Sequence, residues 1–148
     1  MPLKGPLLQT AVFCENVIEA KDSLLSLIRI FDRIIVEASG PGAPAEMPPV
    51  QRLLTVVLTF KTGSAKGRTQ IRLVMEKPDT TTEEIWNGSL QAGEPDRGQN
   101  FVLRLGQTFD LEGPYWFHVY AEEELVTSMP LTLQYMRQIV RTGPPKGG

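Results

Sequence analysis

From Gly113 to Tyr135 the chain alternates apolar and polar residues with a period of two, a pattern that a pleated strand buries and a helix cannot. Tyr115, Phe117, Val119 and Ala121 fall on one face, and Trp116, His118 and Tyr120 fall on the other. Glu122, Glu123 and Glu124 form a charged tip, after which Leu131, Leu133 and Tyr135 repeat the alternation on a returning strand. The stretch Phe109–Pro114 supplies the turn signal ahead of it. This hairpin reads as the last strand pair of a β-sandwich. Tyr115 stands where a tyrosine corner would place the hydroxyl that bonds back across the connection.

The same period recurs upstream. Leu54, Val56, Leu58 and Phe60 share a face with Thr55, Val57 and Thr59 opposite; Ile71, Leu73 and Met75 form a second set, Phe101, Leu103 and Leu105 a third, and Trp86 and Leu90 share a face on a shorter strand. Leu7–Cys14 reads as a first strand, with Leu8, Thr10, Val12 and Cys14 on one side and Leu7, Gln9, Ala11 and Phe13 on the other. Glu15–Ser23 reads as a polar connection, and Asn87-Gly88-Ser89 as a turn or bulge signal. Residues 39–49 carry Pro41, Pro44, Pro48 and Pro49, which cannot join a sheet interior, so they form an exposed loop inside the domain. Residues 24–38 fit two patterns: Leu24, Leu27, Ile28, Phe31, Ile34 and Ile35 make a helical face, while the β-branched content favours a strand. Met136–Arg141 can add a helical turn before a flexible tail at 142–148. The expectation is one domain over 1–148, with an ordered core at 7–136. Its fold class is all-β, an Ig-like antiparallel β-sandwich of about eight strands.

Three stretches, Ala11–Glu15 (AVFCE), Ser26–Ile34 (SLIRIFDRI) and Leu53–Leu58 (LLTVVL), resemble a bacterial family of uncharacterised Ig-like β-sandwich domains. The similarity runs from about Leu8 to Leu133 and consists of apolar framework, so it implies a fold and no activity. On that resemblance Leu25–Glu37 is a strand bent near Asp32. Arg29 stands where the family pattern usually carries Gly.

A net charge of −2, with Lys and Arg scattered, argues against nucleic acid as a partner. No stretch approaches the ~20 apolar residues that cross a bilayer. The run Leu7–Phe13, broken by Gln9 and Thr10, is too short for an export signal, which points to the cytoplasm. Cys14, the single cysteine, allows no internal disulfide and reads as a small apolar residue.

His118 is the single histidine, so a histidine-dependent hydrolase or metal-dependent enzyme would have to be centred on it. Ser128 is its hydroxyl partner across the hairpin, but no nucleophile-elbow motif accompanies the pair. Glu122–Glu124 near His118 reads as a solvated tip that discourages edge pairing, in preference to a metal site. A calcium site would draw on Glu94, Asp96 and Glu122–Glu124, with Lys61, Lys66 and Arg68 opposing it. Thr62–Thr69 is a hairpin loop rather than a phosphate cradle. The expectation is therefore a chain without catalytic residues, metal or cofactor. Trp116, His118 and Tyr120 form its outward interaction surface, facing a protein partner or a second copy. Carbohydrate stacking on the same aromatics is the further alternative.

Overall fold

The computed structural model describes residues 5–63, 65, 67–92 and 98–138. Among these residues nine strands follow one another: β1 (Leu7–Glu19), β2 (Leu25–Phe31), β3 (Arg33–Ser39), β4 (Val50–Lys61), β5 (Gly67–Glu76), β6 (Thr82–Ala92), β7 (Gly98–Phe109), β8 (Gly113–Ala121) and β9 (Glu124–Gln138). One sheet has the order β2-β1-β4-β7 and the other β3-β9-β8-β5-β6. The all-β, Ig-like sandwich expected from the sequence is the fold, with nine strands in place of about eight.

The added strand comes from residues 24–38. Leu25–Phe31 pairs antiparallel with β1 in the first sheet, and Arg33–Ser39 pairs parallel with β9 in the second. The helical alternative is thereby excluded, and the bend near Asp32 is where the chain changes sheet. Asp32 anchors the change, its carbonyl accepting from the Thr132 amide at 2.9 Å. The β3–β9 pair is the one parallel pairing in a sandwich that is otherwise antiparallel among the described residues. Arg29 has φ of +56°, a left-handed conformation that favours glycine, which accounts physically for the Gly of the resembled pattern at this position.

Between the sheets lie Phe13, Leu54, Val56, Leu58, Phe60, Ile71, Leu73, Met75, Leu103, Phe117, Val119, Leu131 and Leu133, all buried. Phe117 meets Phe13 edge to face at 4.9 Å, locking the two sheets together at their centre. Tyr115 forms the expected corner: its hydroxyl donates to the Leu111 carbonyl at 2.9 Å and accepts from the Leu111 amide at 3.1 Å. Phe109 stacks edge-on against its ring at 5.0 Å. Burial pushes the Tyr115 phenol up from its ordinary pKa.

Several local expectations fail for identifiable reasons. Leu8 and Phe13 both pack on the core because a bulge between Leu8 and Thr10 inserts one residue and shifts the parity of β1. Glu15–Glu19 continues β1 and pairs with β2, so it is not a connection. Asn87–Ser89 is regular strand within β6; Gly88 is there because the Trp86 indole lies across it, and a Cβ would come within 2.5 Å of that ring. Residues 39–49 form a loop, but Ala43 and Met47 are buried and the Pro44 carbonyl accepts from the Tyr135 hydroxyl at 2.7 Å, so the loop closes one end of the core. Met136–Gln138 extends β9 rather than starting a helix. Glu94, Asp96, Lys66 and the expected tail at 142–148 lie outside the described residues.

Candidate outward face of the five-stranded sheet

Strand β8 sits between β5 and β9, and its register fixes what surrounds the outward stripe. Trp116 lies opposite Glu76 and Pro130, His118 opposite Val74 and Ser128, and Tyr120 opposite Arg72 and Leu125. No strand or helix among the described residues lies over this face, so neither the 24–36 segment nor the described part of the C-terminus covers it. Trp116 is 39% exposed; His118 and Tyr120 are half-buried by their neighbours within the sheet.

Polar groups on this face are paired with one another. The guanidinium of Arg72 stands over the Tyr120 ring at 4.8 Å and reaches Glu84 at 3.5 Å. Glu84 also accepts from Asn87, and Asn87 from Gln70. At the tip, Glu122 accepts from the Gln70 amide at 2.9 Å, so it is a turn residue tied to β5. Among the described residues no three His, Cys, Asp or Glu side chains come together as a metal-ion site.

The sequence reading placed His118 near Ser128 but missed its other neighbour. His118 Nδ1 is 2.7 Å from Ser128 Oγ, and Nε2 is 3.2 Å from Glu76 Oε1. A carboxylate only accepts, so Nε2 carries a hydrogen and donates to Glu76; in the neutral ring Nδ1 then accepts from the Ser128 hydroxyl. Serine, imidazole and carboxylate are thus in line, with the two ring nitrogens exchanged relative to the serine-protease arrangement. Glu76 was invisible to a motif search because it is 42 residues from His118 and reaches it only through the β5–β8 register.

Ser128 also borders a groove of about 350 Å³ between the sheets, lined by Phe13, Ile30, Phe31 and Met129 among others. Among the described residues β9 has no strand on this side here, because β3 pairs only from Thr132 onward. The Thr132 amide points to that open side, so strand periodicity aims the Ser128 amide the same way, while Pro130 between them has no N–H to offer.

Two features escaped the sequence reading. The outer face of the four-stranded sheet has an apolar centre: Val57 is fully buried on it, flanked by Val12 and Val102, while Ile30 and Leu53 farther out are 60% and 69% exposed. The signal was present in Leu53–Leu58, where apolar residues run on without alternating, as in a strand buried on both faces. The second is a notch lined by arginines where β1 and β4 part.

No helix among the described residues is long and apolar enough to cross a membrane. No curated protein matches the chain. Its structure is similar to part of β-glucosidase 3B from Thermotoga neapolitana, in the complex with glucose at 13% identity and a TM-score of 0.44, covering 61% of this chain and 16% of that one. The glycerol complex of the same enzyme gives 12% identity and a TM-score of 0.43, over 60% of this chain and 16% of the enzyme. The chain thus spans about a sixth of the length of that enzyme, and scores of this size carry no argument about activity. The apolar framework read from the sequence is what a family model recognises: residues 9–134 match a family of unknown function (DUF6941), and the chain belongs to that family.

Proposed function

We propose that the chain is a binding or assembly module whose contact with another protein, or with a second copy, runs through Trp116, His118 and Tyr120. The observation that carries this reading is an aromatic stripe on a sheet face with no layer over it among the described residues, in which hydrogen bonds hold His118 and the Arg72 guanidinium covers Tyr120. Trp and Tyr in such positions supply large contact area at little entropic cost, the usual composition of interface anchors. Cys14, buried and unpaired, fits a reducing compartment such as the cytoplasm. The test is the double substitution Trp116→Ser, Tyr120→Ser, followed by sedimentation of the purified chain and by recovery of its native complex. The module reading expects association to fall at least about tenfold with the fold intact; unchanged association in both measurements removes it.

A second reading, a hydrolase using Ser128, is favoured by the Ser128–His118–Glu76 line and the groove beside it. It predicts that a fluorophosphonate probe labels the folded chain and that Ser128→Ala and His118→Ala both abolish labelling. Absence of labelling in the parent chain eliminates it.

A further inference from the structure

The ladder between β1 and β4 ends at the pair Cys14–Thr55, after which β1 follows β2 and β4 follows β7. The two arms diverge and leave a notch of about 370 Å³ at the rim of the sandwich, within the range of small-molecule sites. It is lined by Arg29 from β2, Arg33 from the start of β3 and Arg52 from β4, together with the half-buried apolar side chains of Phe31 and Ile34. One carboxylate is present, Glu15, held by Arg29 at 3.0 Å. Arg33 and Arg52 have no acidic partner among the described residues; Arg52 donates only to the carbonyl of its neighbour Gln51. Asp32, next in the chain, borders the groove beside Ser128 instead.

Three guanidinium groups against one carboxylate, on a chain whose net charge is −2, is a local inversion of sign. Arg29 also occupies its place at φ of +56°, a conformation that side-chain-bearing residues adopt rarely and that tends to persist where a side chain has a task. Guanidinium forks match the planar and tetrahedral oxyanions of carboxylates and phosphates, and the apolar lining suits a hydrocarbon body. We infer that this notch binds a small organic dianion, a phosphate monoester or a dicarboxylate, with its charged end between Arg33 and Arg52 and its apolar body against Phe31 and Ile34.

Isothermal titration of the full chain at low salt with phenyl phosphate and with terephthalate tests this, with benzoate as the single-charge control. Saturable binding of a dianion is expected, tighter than benzoate and weakened by added salt. Arg33→Gln and Arg52→Gln should each weaken it about tenfold, and Arg29→Gly should weaken it without lowering the thermal midpoint. Binding of phenyl phosphate alone assigns a phosphate ligand, and binding of terephthalate alone assigns a dicarboxylate. Both Arg33 and Arg52 are exposed and make no ion pair among the described residues, so their variants keep the fold, which circular dichroism verifies. Failure of both dianions to saturate below about 10 mM overturns the inference. Binding unchanged in the combined Arg33→Gln, Arg52→Gln chain overturns it equally.

Discussion

The two outer faces of this sandwich solve the same problem in opposite ways. On the four-stranded sheet, Cys14, Thr55 and Val57 retain at most 7% exposure at the middle of the sheet, beside Val12, Val102, Ile30 and Arg104, with no strand or helix among the described residues over them. On the five-stranded sheet the corresponding positions hold His118, Glu76 and Ser128, which bond to one another, and Arg72, which pairs with Glu84 and the Tyr120 ring. The first face closes around small and β-branched side chains and the second around a polar network. A network of this kind leaves the aromatic rings beside it partly exposed and fixed in orientation, which is what a contact surface requires.

The largest difference should follow a polar substitution on each face. Val57→Asp buries a carboxylate with no partner and should cost at least about 3 kcal/mol in urea unfolding. Trp116→Ser removes a partly exposed ring and should cost about 1 kcal/mol. A Val57→Asp cost as small as that of Trp116→Ser would break the contrast. Glu76→Gln weakens the imidazole contact and should cost less again, about 0.5 to 1 kcal/mol by the same measurement. Arg72→Gln should stay under about 0.5 kcal/mol, since its pair with Glu84 is near the surface; a larger loss would mean that the polar network carries stability as well as orientation. Cys14 sharpens the comparison without any substitution. Burial raises its thiol pKa, so alkylation by iodoacetamide should be slow in the folded chain and fast in urea, and equal rates would show that the four-stranded face is open.

Much of the fold was legible because burial in a strand has a period of two. Tyr115, Phe117, Val119 and Ala121 face inward as that period requires, and Tyr115 makes the corner its turn signal announced. What was illegible shares one cause: information that lies in pairing between distant strands. The bulge after Leu8 that turns Phe13 inward with it, the parallel pairing of β3 with β9, and the reach of Glu76 to His118 all depend on register. Helical and strand patterns coexisted in residues 24–38 because two short strands meeting at Asp32 present apolar residues to two different sheets. The arginine notch was equally hidden, since Arg29, Arg33 and Arg52 meet only because β1 and β4 part beyond Thr55.

The most direct test of the central proposal is position-specific photocross-linking in native cells, with a benzophenone side chain at position 116 in one chain and at position 102 in another. The account predicts a discrete protein adduct from position 116 that disappears with Tyr120→Ser, and none of comparable yield from position 102. An adduct from position 102 with none from position 116 would contradict it and move the contact to the four-stranded sheet.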